Sequence, residues 1–242
     1  MTFLRSFLLL LLPLLILRVT ANVEKTIFRA PSAATIPAVD PSLDDLGLQR
    51  LTPAKPALRT QLNASFPTDD SPGTDSWYFL ENLTPGQRYE VRICWLATQP
   101  TDFTLTTYTV PDAIEDPGLF SSIGVYSAAR MAEYPPQGLT PRSSFFDTSH
   151  SSDSVLFLRI RAAADYYSLD SSLMETVPPV RADIILDPFL LNVFPQSLVP
   201  TAFYMAIVGG VAAVLGRWIL GQFTKAAESA YTKQVGKEKK KR

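Results

Sequence analysis

The chain has 242 residues, enough for one domain of ordinary size and additional segments. Its formal net charge of −1 conceals an asymmetry, because residues 22–197 hold 21 acidic and 12 basic side chains whereas residues 217–242 hold two acidic and eight basic ones. The acidic body argues against nucleic acid as the main partner, since phosphate contacts require a basic surface. The single cysteine, Cys94, excludes an intramolecular disulfide, so stability depends on an apolar core.

The N-terminus has the pattern of a secretory signal peptide. Arg5 supplies positive charge, and the 11 apolar residues that follow from Phe7 are too few to span a bilayer. Val19-Thr20-Ala21 then fits a signal peptidase site. We therefore predict that residues 1–21 are removed and that the following domain enters the secretory lumen. An uncleaved anchor is the alternative.

The first part of the mature chain carries few secondary-structure signals. A short strand is predicted at Lys25–Phe28, within the sequence KTIF. Residues 30–72 are rich in proline, serine, aspartate and alanine and lack sustained periodicity, which favours loops.

A strand–turn–strand–turn–strand pattern occupies residues 77–109. An apolar run at Trp77–Leu80 precedes the turn sequence LTPGQ, and residues 89–95 then alternate between apolar and other side chains with a period of two. A third strand is predicted at residues 103–109 after a second turn. The spacing Leu83-x-Pro85-Gly86-x-x-Tyr89 resembles the tyrosine corner of immunoglobulin-like sandwiches, in which the tyrosine hydroxyl bonds to backbone upstream of its strand.

Two later segments, residues 155–162 and 181–186, also read as strands. Residues 111–153 remain undecided, because GLFSSIGVYSAARMAEY fits a short helix or a strand. The predicted fold class is mainly β: an immunoglobulin/fibronectin III-like β-sandwich over residues 22–197, with long irregular insertions and one C-terminal transmembrane helix.

The predicted membrane span covers residues 199–220. At about 1.5 Å per residue, its 22 residues reach about 33 Å, enough for the hydrocarbon core of a bilayer. Its only charged residue, Arg217, lies near one end, and the basic tail of residues 221–242 follows. Because positive charge stays in the cytosol, the pattern predicts a single-pass type I protein. A buried helix of a soluble protein is the alternative.

Small residues recur on this span at Gly209, Ala213 and Gly216. Three- and four-residue spacing places them on one helix face, where they allow a second helix to approach closely within lipid. We predict that this face packs against a partner helix, with a generic span rich in glycine and alanine as the alternative.

The chain ends KEKKKR, with Lys239 and Lys240 at the fourth and third positions from the end. This spacing resembles the dilysine signal by which coat proteins return type I membrane proteins to the endoplasmic reticulum. We therefore predict localisation in that membrane. Binding of the basic tail to anionic lipid is the alternative.

Two N-glycosylation sequons lie in the predicted luminal domain, at Asn63 and Asn82. Both are predicted acceptors in a luminal chain. Pro85 directly follows the second sequon, and this disfavours its use.

The residues that support catalysis are scarce. The only histidine, His150, lies in a serine-rich loop, and Cys94 has no second thiol. The paired acids Asp44-Asp45 and Asp69-Asp70 lack further plausible cation ligands nearby in sequence. With no glycine-rich phosphate loop and no metal-spaced histidines or cysteines, we predict no catalytic, cofactor or metal site.

Three segments together resemble the fungal co-activator subunit of GPI-mannosyltransferase II: NVEKTIFRAP (residues 22–31), WYFLENLTPGQRYEVRICW (residues 77–95), and the span with its lysine tail. The resemblance implies a non-catalytic endoplasmic reticulum subunit that assists a polytopic enzyme in adding the second mannose to the GPI precursor. The alternatives are a subunit of the first GPI mannosyltransferase and a cargo receptor or chaperone adaptor. A luminal hydrolase fits the residue inventory least well.

Overall fold

The structure is a computed structural model that describes residues 22–33, 45–133 and 154–239. The predicted signal peptide, residues 1–21, lies outside the described residues, as do Asp44, His150 and Lys240.

The chain forms two compact units, Met1–Val193 and Phe194–Arg242. The first unit contains strands β1 (Val23–Arg29), β2 (Gln49–Leu51), β3 (Ala57–Leu62), β4 (Thr74–Leu83), β5 (Arg88–Trp95), β6 (Thr101–Thr109), β7 (Ser154–Ala164) and β8 (Val180–Leu190), and helices α1 (Val110–Glu115), α2 (Pro117–Glu133) and α3 (Ser171–Glu175). The second unit contains β9 (Phe194–Pro195), a 3-10 turn (Gln196–Leu198) and helix α4 (Val199–Lys239).

The first unit is built on two sheets, which confirms the prediction of a mainly β fold. The first sheet has the strand order β1-β5-β8-β3, and every neighbouring pair in it is antiparallel. The second sheet has the order β2-β4-β7-β6, with β2 parallel to β4 and the other pairs antiparallel. The apolar run of β4 and the alternating residues of β5 form strands as predicted, and they lie in different sheets.

The main core lies between the sheets. Tyr89, Val91 and Ile93 point inward from β5, which confirms the period-two prediction for these residues. Leucine and isoleucine from β7 meet them from the second sheet, since both sheets turn one face toward the core. Other members of this core include Leu51, Leu62, Tyr78, Leu80, Phe103, Val180, Ile184 and Leu186.

A second core lies on the outer face of the second sheet. Trp77 and Phe79 of β4 and Phe157 of β7 are buried there beneath helices α1 and α2. The helices contribute Val110, Ala113 and Ile123, and the segment after residue 45 contributes Leu46 and Leu48. The sandwich therefore has a third, helical layer on one side. Because both faces of β4 are covered, its apolar residues run continuously instead of alternating.

Local capping residues determine where the two helices begin. Thr109 Oγ1 accepts a hydrogen bond from the Asp112 backbone N–H at the start of α1. Asp116 Oδ1 accepts from the Gly118 and Leu119 N–H groups at the start of α2, satisfying donors that have no partner within the helix. The segment from residue 117 to 133, undecided from sequence, is therefore a helix, and residues 134–153 lie outside the described residues.

The prediction of loops over residues 30–72 is wrong in part, because β2 and β3 lie there. β2 has three residues and pairs with β4, and β3 pairs with β8 more than a hundred residues away in sequence. Both strands are at sheet edges, where the outward residues Arg59 and Gln61 are polar. Their strand conformation depends on distant partners, so a local pattern does not reveal it.

Helix α4 is long and apolar. The segment Gln196–Ala226 is long enough to cross a membrane, and a window of 18 residues within it has a mean hydropathy of 2.0. The span predicted at residues 199–220 lies inside this segment, and the helix begins at Val199. The structure thus supports an apolar C-terminal helix of membrane-span length.

Candidate partner and membrane surfaces

The small residues of α4 leave one face of the helix open. A methyl group added at Gly209 or Gly216 would meet no atom within 4 Å, and Ala213 is exposed between them. Large apolar side chains are exposed on the other faces of the helix, among them Phe203, Tyr204, Val211, Val214 and Trp218. A helix that is apolar on all sides requires lipid or another apolar partner around it. The face formed by small residues allows the backbone of a second helix to approach closely.

The predicted retrieval signal is only partly described. Lys239 is the last residue of α4, and Lys240 lies outside the described residues. The helix therefore continues through the basic tail almost to the end of the chain.

The two sequons have different backbone settings. Asn63 is exposed in the loop that follows β3. Asn82 is also exposed, but it has a φ of +56° at an irregularity of β4, directly before the buried Leu83 and the β4–β5 turn. Asparagine tolerates this left-handed conformation better than most residues. Both side chains are thus accessible to a glycan in the folded domain.

The tyrosine-corner spacing has the hydrogen bond expected of it. The Thr84 N–H donates to Tyr89 Oη at 3.0 Å, and Tyr89 Oη donates to Gln87 Oε1 at 3.1 Å. Gly86 has a φ of +75°, a conformation that glycine adopts without steric cost, and it allows the chain to turn between Thr84 and Tyr89. The hydroxyl therefore holds the β4–β5 turn against the strand that follows.

Of the few candidate catalytic residues, the structure describes Cys94, Asp45, Asp69 and Asp70. Cys94 is half-buried on the face of β5 opposite Tyr89, and burial raises the pKa of its thiol, which makes it a poor nucleophile at neutral pH. Asp69 and Asp70 are exposed. Among residues 22–33, 45–133 and 154–239, no group of three histidine, cysteine, aspartate or glutamate side chains could hold a metal ion.

A buried acidic pair on the outer face of the first sheet was not predicted. Glu90 and Asp187 lie directly opposite each other on β5 and β8, and both are buried. Lys25 Nζ lies 3.2 Å from Glu90 Oε2, and Arg92 Nη1 lies 3.7 Å from Glu90 Oε1 and 3.9 Å from Asp187 Oδ2. Ion pairing offsets the cost of burying these carboxylates and links three strands. Only the strand register reveals the pair.

Two further ion pairs join distant parts of the first unit. Arg59 of β3 binds Asp183 of β8 through two bonds of 2.7 and 2.9 Å, which lower the pKa of the Asp183 carboxyl. Arg161 binds Asp75 in the same bidentate way, at 2.7 and 3.0 Å.

The second of these pairs continues into the helical layer. Ser122 of α2 donates to Asp75 Oδ2 at 3.3 Å and accepts from Trp77 Nε1 at 3.0 Å. Ser127 and Arg130 of the same helix donate to the Leu46 and Gly47 carbonyl oxygens. These bonds connect α2 to β4 of the second sheet and to the segment that precedes β2.

An open cleft of about 1020 Å³ lies beside β3 and the end of α2. Arginines (Arg59, Arg130, Arg181), acids (Asp183, Glu133) and aromatic residues (Trp95, Tyr126) line it together. Because positively and negatively charged side chains line the cleft together, its lining favours no single class of ligand.

The comparison with known families agrees with the resemblance found in the sequence. A family model described as GPI-Mannosyltransferase II co-activator matches residues 12–218, which include the β-rich unit and most of the apolar segment of α4. No curated protein and no solved structure matches the chain. Because the match covers well over half of its 242 residues, the chain belongs to the GPI-mannosyltransferase II co-activator family.

Proposed function

We propose that this chain is a non-catalytic subunit of the endoplasmic reticulum enzyme that adds the second mannose during GPI-anchor synthesis. The family match over residues 12–218 is the observation that carries the proposal. The enzyme's dolichol-linked donor and lipid acceptor require a site within the membrane. One apolar helix cannot enclose such a site, so the chain assists a polytopic catalytic subunit.

The proposed topology follows from the signals at both ends of the chain. Residues 1–21 are a cleaved signal peptide, residues 22–197 lie in the lumen, residues 199–220 span the membrane, and residues 221–242 face the cytosol. Lys239 and Lys240 bind coat proteins and return the chain to the endoplasmic reticulum. The luminal sandwich is immunoglobulin-like, a proposal that the Tyr89–Thr84 hydrogen bond supports.

Glycosylation offers a direct test of this orientation. Asn63 and Asn82 are exposed, so glycans at either position fit the folded domain. Treatment with an endoglycosidase is expected to increase the mobility of the chain on a gel, and Asn63→Gln is expected to remove most of that shift. If neither wild type nor Asn63→Gln carried a glycan, the result would count against a luminal domain.

We propose that Gly209, Ala213 and Gly216 form the contact with a helix of the catalytic subunit. All three lie on one side of α4, where Gly209 and Gly216 have open space before them and Ala213 is exposed. Close approach of two backbones there gains dispersion energy that bulky residues would prevent. The contact would hold the catalytic subunit in its assembled form.

The test replaces these three residues by leucine and measures how much mannosyltransferase co-purifies in mild detergent. We expect most of the partner to be lost. The matched control is Ile207→Phe, Val211→Phe and Val214→Phe, which adds bulk on the opposite side of the helix and should retain the partner. Equal recovery with both variants would overturn the proposed helix contact, while absence of the partner from wild type would overturn the function itself.

A further inference from the structure

Exposed apolar side chains cluster at the end of β8. Leu190, Leu191 and Val193 are 51%, 88% and 77% exposed, and they lie within four consecutive residues. Single exposed apolar residues are common on protein surfaces, but adjacent ones on one loop indicate a contact surface. We call residues 190–193 the apolar tip.

The tip has a fixed conformation. Leu191 and Asn192 have φ values of +53° and +58°, and the Val193 N–H donates to the Leu190 carbonyl oxygen at 3.1 Å. Two residues in the left-handed region are costly unless the surrounding structure holds them. This turn leaves the side chains of Leu191 and Val193 exposed to solvent.

Hydrogen bonds connect the tip to the β4–β5 turn. Asn192 Oδ1 accepts from the Arg88 N–H at 2.8 Å, and Asn192 Nδ2 donates to the Gly86 carbonyl oxygen at 3.2 Å. Gln87 Nε2 donates to the Phe189 carbonyl oxygen at 3.1 Å. Tip and turn thus form one end of the β-rich unit.

The chain itself indicates what the tip contacts. Helix α4 begins at Val199, six residues after Val193, and its apolar segment begins at Gln196. Six residues reach at most about 22 Å even when fully extended. The headgroup layer of a bilayer is about 5–8 Å thick on each side, so a tip tethered this closely to a span is within reach of it.

We propose that the apolar tip inserts Leu191 and Val193 into the lipid headgroup layer and so fixes which end of the β-rich unit faces the bilayer. The inference rests on the proposed membrane-spanning role of α4. The tip contains no charged residue, so its insertion depends on apolar burial and requires no anionic lipid. The β4–β5 turn then faces the membrane.

The test places a fluorescent label at single cysteines in the full-length chain, in a Cys94→Ser background. The labelled variants are Leu191→Cys and Val193→Cys at the tip, Val211→Cys in the helix, and Leu169→Cys as the matched control. Leu169 is 95% exposed and follows the last residues of β7, whose first residue, Ser154, pairs with Leu83 beside the β4–β5 turn. The control therefore reports from the opposite end of the unit.

The labelled proteins are reconstituted in phosphatidylcholine nanodiscs that carry nitroxide quenchers at headgroup or chain depth. We expect headgroup quenchers to reduce fluorescence at residues 191 and 193 several-fold more than at 169, and chain quenchers to act at 211. Quenching at 211 with equal, weak quenching at 191, 193 and 169 would overturn the tip insertion alone. No quenching at 211 would overturn the spanning role and the inference together.

Discussion

The β-rich unit and helix α4 differ in how far they expose their large aromatic side chains. Trp77 is 0% exposed in the unit, beneath two helices, whereas Trp218 in α4 is 63% exposed. The first unit buries the apolar residues of its two cores within its own fold, whereas the large apolar residues of α4 are exposed. This difference supports the proposal that the first region provides the stable fold and that α4 provides the main contacts with the membrane and the partner.

The largest expected effect comes from breaking the second core. Trp77→Ala removes a buried ring that packs against Phe157 and donates to Ser122, so we expect it to lower the free energy of unfolding by about 3–5 kcal/mol. Urea denaturation of the full chain in detergent measures it. Trp218→Ala is the matched control and should leave the β-rich unit unchanged. Similar losses with both variants would contradict the division between the two regions.

A smaller effect is expected at the β4–β5 turn. Tyr89→Phe keeps the buried ring but removes the hydroxyl that accepts from the Thr84 N–H, at a cost of about 1–2 kcal/mol. The same denaturation measurement applies, with Tyr167→Phe at an exposed position as the control. An unchanged midpoint for Tyr89→Phe would show that the turn holds without this bond.

The smallest effect concerns the exposed pair of Arg59 and Asp183. Because the pKa of Asp183 is lowered in the folded protein, the pair stabilises the fold above the usual aspartate pKa of about 3.9 and this contribution disappears as the pH falls through the lowered value. Wild type should therefore have a slightly higher urea midpoint than Asp183→Asn at pH 6, and this difference should shrink as the pH falls below about 3.9. A difference in urea midpoint that stays constant over this pH range would contradict the assignment of the pair as stabilising. An exposed ion pair contributes little to stability, but its contribution should still disappear when Asp183 is protonated.

Much of the fold follows from local patterns. The alternation of residues 89–95 predicts a strand with one buried face, and Tyr89, Val91 and Ile93 bear this out. The length and composition of the C-terminal apolar segment predict its helix, because a run of this kind has few other stable forms.

The remainder depends on contacts between distant residues. β3 is polar at Arg59 and Gln61 and becomes a strand through pairing with β8. Glu90 occupies an alternating position that predicts solvent exposure, yet its pairing with Lys25 and its register opposite Asp187 bury it. The apolar tip has no separate signal in the sequence, because residues 190–193 resemble a continuation of the neighbouring strand and span.

The most direct measurement is the size of the GPI intermediate in cells that lack this chain. The co-activator role predicts accumulation of a lipid with one mannose, reversed by the full-length chain. Normal GPI intermediates in those cells would contradict the role altogether. An intermediate without mannose would instead assign the chain to the preceding step.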